Sequence, residues 1–451
     1  MTIASIQLGT NDLDSITYNL RSQPVRIDYA SGAYETYTYY AERGWVEEID
    51  IFDETDTQLS RSKYTFRTSS GKIARTSPTR VKGRYDYCYD YAGRLSVAAE
   101  LHAQPGTVTC ANVDTWSPSS AEEQDVLFAY EPDGSLKTLT DSTAAVTTYD
   151  YGSSPVAHAP HRIAGGDIFA YGANGNQTTG LGGKTMAYDG ENRPLSVTMA
   201  NNDTTDYVYG AEGQRLTRVE TESSTATTAL YLGDAVEIVN PGASEVVHWY
   251  LPGNVRHTDP GGTVERHVMH RDQLSSTVMI TDANADWGLE RAYAPFGTDR
   301  EWTNASAVDP LPEDIGFIGE RKDAVSGLHY LNARYFDPTL RMFIHAQDQR
   351  AGGNKYELGF HMTKEAYSLA RLHSTTVHTS APSERRYTKT HYVLPRFLPM
   401  VTGSLTSWNL RQPPTSSKDL TGNDAVLSRA AKHRINQDYW SSVIGRGGSN
   451  S

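Results

Sequence analysis

Two cysteines, Cys88 and Cys110, are all that 451 residues contain. They are too few for the disulfide framework of small exported domains, though one bridge across neighbouring segments is open to them. No run of about eighteen apolar residues occurs, which excludes a transmembrane helix. The first residues, Met1-Thr2-Ile3-Ala4-Ser5-Ile6, lack the basic start and apolar stretch of a signal peptide, so the expected location is secreted or cell-surface by another route, after a cytoplasmic stage. His-Glu-x-x-His, Cys-x-x-Cys, Gly-x-Ser-x-Gly and a phosphate loop are all missing, so no cofactor or metal is expected. Apolar residues make up 38% of the chain and the mean hydropathy is −0.55, low for one dense globule of this length. A thin sheet with two exposed faces accounts for both values.

What the chain does contain is a repeated phrase. Tyr-Asp-x-x-Gly-x-Leu stands clearly at Tyr89-Asp90-Tyr91-Ala92-Gly93-Arg94-Leu95. It returns in altered form at Tyr130 to Leu136, Tyr171 to Gly175, Tyr188 to Asn192 and Tyr209 to Leu216, with weaker copies at Tyr40 to Gly44 and Tyr149 to Gly152. The steps cluster around roughly twenty residues or its double, the range of repeat arrays. Before each Gly come alternating aromatic and β-branched residues, as in Tyr34-Glu35-Thr36-Tyr37-Thr38-Tyr39, and after it another short alternating run such as Leu136-Lys137-Thr138-Leu139-Thr140. Period-two alternation predicts strands, and Gly or Asn192 in the turn supplies the positive φ that a tight reversal needs. Each unit therefore reads as one hairpin. Twenty-eight Tyr against ten Phe fits strands whose rings pack while their hydroxyls find partners.

Charge divides the chain. Residues 350–451 hold fourteen Lys and Arg against six Asp and Glu, which leaves 27 basic and 48 acidic residues in 1–349. An acidic body followed by a basic tail implies either a tail that docks on the acidic part or one meant for a polyanion. From about residue 265 the pattern tightens into His270-Arg271-Asp272-Gln273-Leu274-Ser275-Ser276, then Tyr293-Ala294-Pro295-Phe296-Gly297, then Gly316-Phe317-Ile318-Gly319-Glu320-Arg321-Lys322-Asp323, Gly327-Leu328-His329-Tyr330 and Arg334-Tyr335-Phe336-Asp337-Pro338.

These residues resemble the RHS or YD-repeat family, and His270 to Phe343 is similar to its repeat-associated core. The resemblance covers about three quarters of the chain. It implies an all-β fold, a ribbon of hairpins spiralling into a partial hollow shell that encloses a C-terminal polypeptide, with repeats over 1–265, the core over 266–358 and a variable, irregular basic tail over 359–451. In bacterial members the enclosed cargo is usually a toxin, and the core often cleaves itself as an aspartyl protease. Residue by residue, that implies Arg334 and Asp337 as one half of the site, with Asp348 as the second carboxylate. Two carboxylates sharing a proton, with an Arg nearby, can activate water and polarise a carbonyl. Here the family's Gly-Arg-Phe turn is Arg341-Met342-Phe343, Asp348 follows Phe343 one position late, and the expected cleavage segment is lost after Asn354-Lys355-Tyr356. A one-residue slip on a strand sends a side chain to the other face.

The expected partners are the chain's own tail as cargo and a capping or secretion-apparatus protein for any open end. A different class of function, adhesion, would offer Tyr-rich strands to carbohydrate. A third would make the tail a nuclease. His361, His373, His378, His391 and His433 lie among basic residues, but in no recognised spacing, and nucleic acid is expected only through this tail. Pro395, Pro399, Pro413 and Pro414 argue for an irregular segment with one helical candidate from Asp424 to Arg434. Asp203 and Asp206, and Asp282, Asn284 and Asp286, read as turn residues rather than calcium ligands, since the second group lacks the Gly and closing Glu of an EF-hand loop.

Overall fold

The computed structural model describes residues 5–7, 12–67, 69–78, 84–100, 110 and 126–345, apart from a few positions between 153 and 167, residue 243 and residues 304–312. The expected tail and its helical candidate lie outside the described residues. The described chain is an all-β ribbon. Strands pair antiparallel with their neighbours in sequence, forming a 13-stranded sheet from Ser5–Gln7 to Arg162–Ile163, a 14-stranded sheet from Ala170–Tyr171 to Asp299–Thr303, and a four-stranded sheet from Arg321–Lys322 to Met342–Phe343. The second sheet crosses residue 265 without a break, Glu265–Arg271 pairing with Val255–Asp259.

The repeated phrase turns out to be a bulged hairpin in which each conserved letter has a separate task. Tyr89 pairs with Leu95, Tyr130 with Leu136 and Tyr188 with Pro194, each with a register shift at the Tyr. Gly93, Gly134 and Gly213 take φ of 78, 95 and 84°, and Asn192 substitutes at 65°, the left-handed conformation open cheaply only to Gly and Asn. The Asp clasps the turn: Asp189 Oδ1 accepts the N–H of Glu191 and of Arg193, both at 2.9 Å, while Oδ2 accepts Arg193 Nε at 2.7 Å. Asp282 holds the N–H groups of Asn284 and Asp286 in the same way, at 2.8 and 2.9 Å.

The Tyr reaches back one repeat. Tyr89 Oη donates to the Ile73 carbonyl at 2.8 Å, Tyr130 to Leu95 at 2.7 Å, Tyr151 to Leu136 at 2.9 Å, Tyr188 to Gln177 at 2.7 Å and Tyr293 to Thr277 at 2.7 Å. Every acceptor stands two residues after a positive-φ residue of an earlier turn, Gly71, Gly93, Gly134, Gly175 or Ser275. The basic residue after the Gly reaches forward: Arg94 lies over the Tyr130 ring at 4.4 Å and Arg193 over Tyr209 at 5.0 Å. These links explain the excess of Tyr over Phe. Tyr130→Phe removes one hydroxyl bond while keeping the ring, and about 1 kcal/mol of stability is expected to go with it; a urea denaturation midpoint equal to wild type would show the bond to be idle.

Alternation sorts the faces. Tyr85, Tyr87, Leu95, Val126, Phe128 and Tyr149 of the first sheet meet Phe296 and Phe317 and then Phe336, Leu340, Met342 and Phe343 of the four-stranded sheet in one buried cluster. Leu13, Ile16, Ile27, Tyr37 and Ile49, from the first strands, pack on Val255 and Val268 of the second sheet. Two buried or half-buried pairs reinforce that contact, His257 Nε2 to Asp12 and His270 Nδ1 to Glu35, each at 2.6 Å. On the opposite face of the first sheet, Cys88 sits with Val97, Ala99, Leu127 and Cys110, and the two cysteines form a disulfide with Cα atoms 5.4 Å apart.

Candidate functional site

The last of the motifs, from Arg321 to Phe343, form the four-stranded sheet, and the acidic residues in and just before it are met by arginines, most of them from the second sheet. Asp323, fully buried, accepts from Arg215 Nη1 at 2.8 and 3.1 Å, from Arg218 Nη1 at 3.1 Å and from Tyr207 Oη at 2.8 Å. Asp314 pairs with Arg218 at 2.9 Å and Arg321 at 2.7 Å, and Arg321 also pairs with Glu237 at 2.6 Å. Burial opposes the charge on Asp314, but the guanidiniums of Arg321, Arg218 and Arg215 outweigh it and hold its carboxyl at about 2. Arg256 closes a further buried pair with Glu313 at 2.8 Å.

Sequence reasoning missed the repeat half of this network. The phrase Tyr209 to Leu216 puts Arg215 one position before the repeat Leu, yet its register opposite Tyr209 is that of Leu95 opposite Tyr89. An arginine in the inward slot of a repeat was therefore a usable signal. Lys184 gave none, standing in an ordinary Gly-Gly-Lys turn.

Of the expected site residues, Asp337 is buried at 2% exposure. Its Oδ1 accepts the N–H of Thr339 at 2.9 Å and of Leu340 at 3.0 Å, and its Oδ2 accepts Lys184 Nζ at 2.9 Å. Lys184 also reaches the Ser326 carbonyl at 3.3 Å. Arg334 lies with its guanidinium 3.5 Å from the Phe343 ring centroid, so the two residues of the Arg-Tyr-Phe-Asp phrase face different neighbours. Asp348 lies outside the described residues. Arg341, aligned above with the Gly of the resembled pattern, adopts φ 60°, the backbone conformation a Gly turn would take. The strand then ends in buried residues: Ile344 accepts from Gln177 N at 2.9 Å and from Tyr188 Oη at 3.2 Å, and His345 Nε2 accepts the Tyr335 N–H at 3.0 Å.

Burial also lowers three histidines, His248 and His329 to about 4 and His267 to about 3, with Arg256 adding to the effect at His248 and His267 and Lys322 at His329. They stay neutral in the fold while the unfolded chain takes up protons below roughly 6.5. The unfolded state thus binds more protons between about pH 6.5 and 4, and stability falls on acidification across that window. Asp272, pushed up by burial to about 6, and Asp50, Glu220 and Glu237, also raised by burial, act in the opposite sense, while Asp314 and the turn residues Asp53, Asp141 and Asp189, held below the ordinary carboxylate range, act with the histidines. Thermal unfolding at pH 4.5 is expected below that at pH 7.5; an equal or higher midpoint would contradict this.

No protein-family model matches the chain. Among curated proteins it is 25% identical over 232 residues to a tRNA3(Ser)-specific nuclease WapA of Bacillus spizizenii, covering 48% of this chain and 9% of that protein. It is 24% identical over 325 residues to the double-stranded DNA deaminase toxin A of Burkholderia cenocepacia, covering 68% and 20%. With toxin subunit YenC1 of Yersinia entomophaga it shares 20% over 386 residues, 72% and 38%. The chain thus spans between about a tenth and two fifths of the length of these relatives.

The fold is that of the large antiparallel sheet shells of Tc toxins. A crystal structure of TcdB2–TccC3 superposes with a TM-score of 0.62 at 17% identity, covering 79% of this chain and 19% of that one. The Photorhabdus luminescens Tc holotoxin pore gives 0.63 at 16%, covering 82% and 19%.

Proposed function

We propose that this chain is the shell and core portion of an RHS-type toxin protein, which encloses the polypeptide following its core and presents it for delivery. The observation that carries the reading is the burial of Ile344 and His345 against Gln177, Tyr188 and Tyr335. The chain beyond the core sets off from a covered position. The acidic excess of residues 1–349 against a basic 350–451 supports the same arrangement, since opposite charges favour an enclosed tail. Relatives named as a tRNA nuclease, a DNA deaminase toxin and a toxin subunit fit a common carrier with exchangeable cargo. A capping or secretion partner would cover the free edges of the sheets. The adhesion alternative draws less support, because the repeat tyrosines spend their hydroxyls on backbone carbonyls instead of offering them to sugars.

A proteolytic step, with Asp337 as its buried carboxylate and Arg334 and Asp348 as its expected partners, belongs to this reading as the means of freeing the cargo. The intact mass of wild type beside Asp337→Asn tests it. A working site yields a wild-type body plus a separate tail and an uncut variant. If both stay at 49.7 kDa, Asp337 serves only to dock the core on Lys184, and enclosure stands without cleavage.

A further inference from the structure

We infer that the Cys88–Cys110 disulfide is a thiol–disulfide exchange site, tuned by Arg67 and opened by a dithiol reductant. The bridge joins a central strand, Tyr85–Tyr89, to a residue of the segment 101–125 that separates two paired strands, Leu95–Glu100 and Val126–Tyr130. It lies on the face of the first sheet opposite the core. A structural staple would need no charge beside it. Here Arg67, from the neighbouring hairpin, places Nη2 3.9 Å from Cys88 Sγ, donates to Cys110 Sγ, and is fixed by a 2.9 Å bond to the Tyr87 carbonyl and by the Tyr89 ring 5.9 Å away. A cation held against sulfur favours the thiolate, which makes it a better leaving group and the bridge a stronger oxidant.

Accessibility sets the order of events. Cys88 is fully buried and Cys110 is half-buried, so the reductant's thiolate attacks Cys110 Sγ. The Cys88–Cys110 bond breaks, its electron pair leaves on Cys88 as a thiolate beside Arg67, and a mixed disulfide forms between the reductant and Cys110. The reductant's second thiol then attacks its own sulfur in that mixed disulfide and releases Cys110, which takes a proton from water. The reductant leaves as a disulfide, its two thiol protons released to solvent; the chain has gained two electrons and, at Cys110, one proton, and Cys88 takes the second proton from solvent when its thiolate is reprotonated. The consequence is a clip, closed in an oxidising exterior and opened by the dithiols of a reducing cell interior, that ties Cys110 to the sheet. The inference stands apart from the proposed function, since it needs neither cargo nor cleavage.

Full-length protein equilibrated in mixtures of reduced and oxidised dithiothreitol, quenched by alkylation and weighed intact, tests it. Arg67→Met is expected to need a roughly tenfold higher ratio of reduced to oxidised reagent for half-reduction, about 30 mV for a two-electron couple, while Arg67→Lys stays near wild type. A second measurement needs no variant: the alkylation rate of reduced wild type against pH is expected to show one thiol titrating a unit or more below the ordinary value of roughly 8.5. Coincident half-reduction ratios for wild type and Arg67→Met, titration of both thiols at or above the ordinary value, or two free thiols in oxidising buffer would each overturn the inference.

Discussion

Asp323→Ala is expected to lower the stability of the body by about 3 to 5 kcal/mol, the usual result of removing one partner from a buried ion pair. The substitution leaves Arg215 and Arg218, both buried, facing the gap, and strips the Tyr207 hydroxyl of its acceptor. The sign is secure because the desolvation of the Arg215 guanidinium is no longer offset by its carboxylate, while Arg218 retains Asp314 and Glu220. Adding Arg215→Met to Asp323→Ala is expected to recover part of the loss, since it deletes one stranded cation, and the double-variant cycle isolates the coupling. Urea denaturation of the three variants gives the values. A change under about 1 kcal/mol in Asp323→Ala would mean that water reaches the pair and the core is less closed than the geometry indicates.

Gly297→Ala is expected to cost about 2 to 5 kcal/mol through two separate penalties. Gly297 has φ 90°, which any L side chain adopts at a cost of roughly 1 to 2 kcal/mol. A Cβ there would also lie 2.6 Å from Cδ1 of Phe317, a buried ring of the central cluster, and overpacking of that kind adds about 1 to 3 kcal/mol. Gly233→Ala is the matched control, with φ 65° but nothing within 4 Å of the new methyl. It should lose only the backbone term. Equal denaturation midpoints for the two variants would show that Phe317 yields freely, against its role in joining the core to the second sheet.

How far the sequence speaks for itself depends on the range of the interaction. The hairpins were legible because their determinants are local: the Tyr, Asp and Gly of one phrase sit within five residues, and the acceptor of each Tyr hydroxyl stands two residues after a positive-φ residue of an earlier turn. The backbone conformation at Arg341 was not legible, since nothing local distinguishes an arginine that will take φ 60°. Contacts across the ribbon left almost no trace. The pairs Glu35 with His270 and Asp12 with His257 join residues more than two hundred positions apart. Nothing in a repeat with a period of roughly twenty announces which copies will meet. For the candidate site, Asp337 could be named from its phrase, but its cation could not. The phrase offered Arg334, whereas Lys184 of a distant turn occupies the carboxylate and Arg334 lies over Phe343.

Enclosure of the chain that follows the core is the central claim, and limited trypsin digestion of the full-length protein tests it most directly. Residues 350–451 offer fourteen Lys and Arg, so an uncovered tail would be cut many times before the sheets yield. The account predicts that peptides from this stretch appear no sooner than breakdown products of the body, with or without a prior cut between them. Their release within the first minutes, leaving an intact body that ends near His345, would contradict it.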